Sequence, residues 1–170
     1  IDNPTGHYFT VGAGIALFHQ AADNLNFTFG LSGRNLNRPQ ITFTGMEGNI
    51  IERKLNGYLR AEYRYTTLWS ILPMAALQLQ QNNTEIVAGC DMKYHHSEIA
   101  GNHIAYSAGL YYRYKDALIF NVAAEINAFV VSINYDANIS PLIAASNSIG
   151  ALELTLIYRL TRSKNKTKPI

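Results

Sequence analysis

The chain has 170 residues, 48% of them hydrophobic and 15% charged, with a formal net charge of +2. Its 11 Tyr and 7 Phe, with so low a net charge, exclude disorder, and its charged fraction falls well below the ~25% of an ordinary soluble domain. Nine of the 14 basic residues precede Arg159 and face all 12 acidic ones, while Arg159, Arg162, Lys164, Lys166 and Lys168 follow without an acidic neighbour, so no nucleic-acid partner is expected. The single Cys90 closes no internal disulfide. The longest charge-free stretch, Tyr65 to Thr84, is broken at Ser70 and Pro73 and is too short in its apolar centre for a membrane helix. Starting at Ile1-Asp2-Asn3-Pro4, the chain reads as a mature or truncated form without a targeting segment.

Alternation of apolar and polar residues predicts nine strands in chain order. Tyr8 to Phe18 sets Phe9, Val11, Ile15 and Leu17 against Thr10, Gly12 and Gly14. Leu25 to Arg34 follows, then Leu55 to Thr66 with Arg60, Glu62 and Arg64 on its polar face, then the less regular Ile71 to Gln80. Thr84 to His95 carries Glu85, Asp91 and Lys93 opposite Ile86, Ala88, Cys90 and Met92, and His103 to Tyr114 carries Arg113 opposite Leu110 and Tyr112. Ala117 to Asn127 carries Glu125, Phe129 to Asp136 carries Asp136, and Ala151 to Leu160 sets Leu152, Leu154, Leu156 and Tyr158 against Glu153 and Arg159. No charged residue falls on any apolar face. Short polar connections, such as Asn82-Asn83 and Lys115-Asp116, predict an antiparallel meander.

Such alternation suits either a soluble barrel with an apolar cavity or an outer-membrane barrel with an apolar exterior. Three features favour the membrane barrel. Most segments run 10 to 12 residues, long enough to cross a bilayer at a tilt. Tyr63, Tyr65, Tyr94, Tyr112, Tyr114, Tyr135 and Tyr158 sit near segment ends on the apolar face, as an interfacial girdle requires. The polar face mixes both charge signs with Gly, Ala, Ser and Thr, which suits a crowded interior. The expected fold is therefore an all-β, up-and-down transmembrane β-barrel over residues 1–160, part of a larger barrel, followed by a basic tail over residues 161–170. Lipid should touch Leu152, Leu154, Leu156 and Tyr158.

The run Tyr111-Tyr112-Arg113-Tyr114-Lys115-Asp116-Ala117, then Ser132-Ile133-Asn134-Tyr135-Asp136-Ala137-Asn138-Ile139-Ser140, Ala145-Ser146-Asn147, Gly150-Ala151-Leu152-Glu153-Leu154 and Tyr158-Arg159-Leu160 resembles the C-terminal half of the PorP/SprF family. Gly30-Leu31-Ser32 leading to Leu36-Asn37-Arg38-Pro39 is similar to an earlier family feature. The resemblance implies an outer-membrane barrel of the type IX secretion and gliding-motility machinery of certain Gram-negative bacteria. It also implies partners: the C-terminal domain of an exported adhesin, or other type IX secretion components, beside outer-membrane lipid. Two departures stand out. Family chains are longer and begin with a signal peptide, so this chain looks like a C-terminal portion, and nine strands would not close as a usual bacterial barrel. Family chains also stop at an aromatic soon after the last strand, whereas Thr161 to Ile170 follow Leu160.

No catalytic, cofactor-binding or metal residue is assigned. His95-His96 with Glu98 and His103 reads as a polar turn, because adjacent strand residues point to opposite faces. His7, His19 and His103 lack a matching Ser and carboxylate, and Gly12-Ala13-Gly14 opens no helix and so no phosphate loop. The expected site is instead a lumen charge network of Arg60, Glu62, Arg64, Glu85, Asp91, Lys93, Arg113, Glu125 and Glu153, paired across strands because unpaired interior charge is costly. Strand parity puts the two long connections, Asn35 to Lys54 and Ala137 to Gly150, at the end opposite the tail. Candidate partner contacts there are Arg38, Gln40, Phe43, Met46, Asn138, Leu142, Ser146 and Asn147. The function expected is a non-enzymatic anchor or assembly partner for a surface adhesin; a solute channel and a soluble ligand-carrying barrel are the alternatives.

Overall fold

The computed structural model describes residues 8–41, 49–99, 102–139 and 150–160. Its strands are β1 (Ala13–Ala22), β2 (Leu25–Arg34), β3 (Gln40–Ile41), β4 (Asn49–Ile50), β5 (Lys54–Arg64), β6 (Trp69–Gln80), β7 (Asn83–Ile99), β8 (Asn102–Arg113), β9 (Ala117–Ile126), β10 (Phe129–Asn138) and β11 (Ala151–Tyr158). Nine of them form one antiparallel sheet in the order β1-β2-β5-β6-β7-β8-β9-β10-β11, and β3 pairs with β4 in a small ribbon. This is the all-β meander that alternation predicts. Among the described residues β1 and β11 do not pair, so the sheet curls without closing.

Tight turns hold the meander in register. Gln81, Lys115 and Asn127 each adopt a positive φ, of 53°, 59° and 54°, which turns the backbone within two or three residues. Registers then run unbroken over most pairs, from Phe129↔Ile126 to Asn138↔Ala117 between β9 and β10, for example. The β5–β6 ladder shows no Cα pairing between Arg60↔Met74 and Tyr63↔Ile71, flanking Pro73, which has no N–H to donate.

Boundaries differ from the expected ones where side chains compete with the ladder. β1 starts at Ala13 rather than Tyr8, because the Val11 amide donates to Asn37 Oδ1 (3.0 Å) and Asn37 Nδ2 donates to the Phe9 carbonyl (2.7 Å). β7 continues past His95 through a bulge between His95 and Ser97, which alternation cannot foresee. The β3–β4 ribbon, two residues a side, is too short to leave a periodic signature.

The two faces have opposite chemistry. Outward stand Leu152, Leu154 and Leu156, at 74%, 72% and 68% exposure, with Val122, Phe120 and Ile133 on neighbouring strands. The concave side buries Ser70, Leu72, Ala105, Asp91, Lys93, His95 and Glu125. Each outward leucine would forgo about 1.5–3 kcal/mol if left in water. A charge turned to the lipid midplane would cost about 2–4 kcal/mol. Both terms select lipid outside and charge inside. Aromatic residues bracket the outer face: Trp69 packs on Tyr94 with ring centroids 4.9 Å apart and Phe129 on Tyr158 at 4.8 Å near the end where the chain leaves β11. Tyr112 and Tyr114 meet at 6.5 Å near the opposite end.

Candidate functional site

The site is the polar interior, and the strand between two partners decides who meets whom. On the concave face β8 presents Ala105, Ser107 and Gly109, small residues over which longer side chains of β7 and β9 reach each other. Lys93 on β7 opposes Ser107, and Glu125 on β9 opposes Ala105. The Lys93 ammonium donates to Glu125 Oε1 at 2.9 Å across that strip, with both side chains nearly buried. Glu125 Oε2 also receives Arg159 Nη1 at 3.3 Å and lies 3.6 Å from His103 Nε2. One carboxylate thus gathers an ammonium from β7, an imidazole nitrogen from β8 and a guanidinium from the segment after β11.

A middle tier follows the same rule. Asp91, Gly109 and Asn121 lie in one row, and Asn121 Nδ2 donates over the glycine to Asp91 Oδ1 at 2.9 Å. The Tyr111 hydroxyl donates to Asp91 Oδ2 at 2.6 Å. A Cβ on Gly109 would collide with Asp91 Oδ1 and come within 2.8 Å of the Cys90 carbonyl. The missing side chain is therefore what leaves room for the carboxylate.

The third tier inverts the first. Arg113 Nε meets Glu85 at 3.1 Å, Nη1 meets Asp116 at 3.2 Å and Nη2 meets Asp136 at 2.8 Å, so one guanidinium serves three carboxylates. Its planar fork of donors suits such sharing. Ala117, buried on the intervening strand, opposes Arg113 and again keeps the path low.

Side chains from opposite ends of the sheet line one interior cavity: Phe18 of β1, Asn26 and Thr28 of β2, Arg60 and Glu62 of β5, Lys93, Glu125 and Arg159. That shared lining is the measure of how far the sheet curls. A second cavity lies among Met74, Tyr111, Arg113, Asn121, Asn134, Asp136 and Glu153.

The model of a family described as type IX secretion system membrane protein PorP/SprF matches residues 1–158, nearly the whole chain. The chain belongs to the PorP/SprF family. Among curated proteins none matches it. The family is a β-barrel family of secretion-system membrane components, in keeping with the lipid-compatible exterior and polar interior.

Within this PorP/SprF chain, the expected lumen residues divide. Lys93, Glu125, Glu85, Arg113 and Asp91 join the three tiers. Arg60 and Glu62 line the first cavity without an ion pair to a described residue, and Glu153 lines the second and accepts from Thr155 Oγ1 at 3.5 Å. Arg64 Nη2 donates to the Thr67 carbonyl at 3.0 Å, at the turn between β5 and β6. Missed members are Arg159, Asp116, Asp136, His103, Tyr111 and Asn121. For Asn121 and Asp136 the signal was a small residue on the strand between two like-faced polar ones; His103 and Tyr111 meet neighbours on adjacent strands, and Asp116 meets Arg113 from the turn. Also missed is the buried Ser70 Oγ–His95 Nε2 contact of 2.8 Å, which ties β6 to β7, while His96 lies on the other side between Tyr94 and Tyr106.

Of the loop candidates, Phe43, Met46, Leu142, Ser146 and Asn147 lie outside the described residues. Arg38 pairs with Glu52, Gln40 opposes Ile50 in the ribbon, and Asn138 closes β10 opposite Ala117. The excursion between β2 and β5 is stitched to itself: Asn35 Nδ2 donates to the Glu52 carbonyl, Arg53 Nε to the Leu36 carbonyl and the Ile51 amide to the Pro39 carbonyl.

Proposed function

We propose that this PorP/SprF chain forms a non-enzymatic outer-membrane barrel that anchors, or helps to assemble and export, a cell-surface adhesin through a type IX pathway. One observation carries the reading: the polar wall from β7 to β10 is lined by three tiers of paired side chains, whereas one rim holds a stitched excursion. Filling an interior with ion pairs obstructs passage, and a fixed rim lowers the ordering cost of binding a folded partner. With the tail in the periplasm, as in most such barrels, both long connections face the cell exterior. Arg38, Gln40 and Asn138 are then the described candidates for contact with a partner's C-terminal domain or another secretion component.

A photo-crosslinking residue at Gln40 or Asn138, in cells carrying the secretion machinery, tests this. The expected product joins the barrel to an exported C-terminal domain or a secretion component; lipid adducts alone at both positions overturn the proposal. Conductance in a planar bilayer separates the runner-up, since a solute channel passes a steady current without a partner and an obstructed anchor does not.

A further inference from the structure

Arg60 and Glu62 of β5 carry opposite charges two residues apart on the concave face, yet no hydrogen bond or ion pair joins them to each other or to another described residue. Both line the cavity of about 160 Å³ whose far wall is the Glu125 hub. Across the β2–β5 ladder Asn26 opposes Glu62 and Thr28 opposes Arg60. Asn26 Oδ1 is buried there without a hydrogen-bond partner. A buried acceptor beside a carboxylate calls for a donor that serves both, and a guanidinium fork calls for a planar anion. The far wall supplies neither, because Lys93 takes Glu125 Oε1 while Arg159 and His103 approach Oε2.

We infer that this cavity is a binding site for a small zwitterion, an α-amino acid the size of glycine, alanine or serine, with its carboxylate on the Arg60 guanidinium and its ammonium between Glu62 and Asn26 Oδ1. The inference goes beyond the anchoring reading and needs no protein partner. Charge selects the class of ligand. A simple anion at Arg60 would sit beside the Glu62 carboxylate, and a simple cation at Glu62 beside the Arg60 guanidinium, so each would meet repulsion as well as attraction. A molecule with both charges on one carbon meets attraction at each end. Positions two apart on a strand are about 7 Å from each other, close enough for both side chains to converge on such a molecule. The lining holds three cations, Arg60, Lys93 and Arg159, against the two carboxylates Glu62 and Glu125, which favours the carboxylate end at Arg60. Size sets the limit, since a cavity of about 150 Å³ takes benzene, so this one takes a ligand of about six heavy atoms. The polar lining, apart from Phe18 and Ala61, disfavours a large apolar side chain on that ligand.

The test is a ligand-detected NMR titration of the full protein, purified from its own membrane in a non-ionic maltoside so that no zwitterionic detergent competes. Alanine is the probe; propionate and ethylamine, which each keep one of its two charges, are the comparators. Expected is saturable binding of alanine in the millimolar range or tighter, with both comparators at least about tenfold weaker. Arg60→Gln and Glu62→Gln should each weaken alanine by at least about tenfold and leave the thermal midpoint nearly unchanged, because neither side chain holds a partner within the protein. Absence of saturation by alanine, glycine and serine overturns the inference. Propionate that binds as tightly as alanine also overturns it, since the cavity would then be a simple anion site, and so does alanine binding that survives both substitutions. The comparison of the three ligands needs no variant, so it decides the matter even where a substitution impairs insertion. Failure of the crosslinks to a secretion partner would leave this result standing, and loss of alanine binding would leave the anchoring reading untouched.

Discussion

The two outer tiers of the interior are built as inverses. Near the tail, one carboxylate, Glu125, is shared by Lys93, Arg159 and His103, and its closest pair is nearly buried, at 10% and 11% side-chain exposure. Near the long connections one guanidinium, Arg113, is shared by Glu85, Asp116 and Asp136, whose side chains are 24% to 48% exposed. The difference lies in the hub and its access to water. A buried carboxylate hub depends on direct pairing, because little solvent screens it, whereas the Arg113 hub holds apart carboxylates that water and salt already moderate.

Removing the buried hub should have the largest effect. Glu125→Ala leaves Lys93 buried and uncompensated and should lower unfolding stability in lipid vesicles by about 3–5 kcal/mol. Replacing the pair together, Lys93→Met with Glu125→Leu, should restore most of it; a double variant as unstable as the single one would deny that the pairing matters. Arg113→Ala should cost less, about 2 kcal/mol, since its three partners are only partly desolvated. Salt sharpens the contrast. Raising salt from 0.05 to 1 M screens the repulsion among Glu85, Asp116 and Asp136, so the Arg113→Ala deficit should shrink and the Glu125→Ala deficit should not. Equal salt responses would show that the two tiers share one environment.

Face was legible in the sequence and partner was not. Alternation assigned Lys93, Glu125, Asp91 and Arg113 to one side and Leu152, Leu154 and Leu156 to the other, because a period of two admits no other arrangement in a strand. Pairing across strands was expected, and some of it joins neighbours, as Arg113 with Glu85 and Tyr111 with Asp91. What alternation did not disclose is the reach over a whole strand, as from Lys93 to Glu125, Asn121 to Asp91 and Arg113 to Asp136, where Ala105, Ser107, Gly109 and Ala117 are too short to intercept it. Alternation set Arg159 on the polar face of the last strand without naming a partner; it lies just past the end of β11 and reaches Glu125 from there, where no ladder position points to it. Ser70 escaped with its partner His95 because Pro73 blurs the alternation at the start of β6, and the bulge after His95 hides where β7 continues.

Reach across a strand can be tested directly at the middle tier, where the expected effects are smaller. Gly109→Ala puts a methyl group where Asp91 Oδ1 sits, and the neighbouring Cys90 carbonyl leaves the carboxylate little room to retreat. Losing the Asn121 bond while keeping part of the Tyr111 bond should cost about 1–2 kcal/mol, with the strands still paired. The smallest effect should come from the turn that carries Asp116. Lys115 holds a φ of 59°, a strained setting for a residue with a Cβ, while its amide donates to the Tyr112 hydroxyl at 3.1 Å. Lys115→Gly removes the strain and keeps the amide bond, and its net gain should be no more than about 1 kcal/mol, because the unfolded chain gains freedom and the Lys115 contact over the Tyr114 ring is lost. A loss of stability on that substitution, measured beside Arg113→Ala, would mean that the lysine supports the Arg113 tier by holding the turn, and the two ends of the interior would then differ in their turns as much as in their hubs.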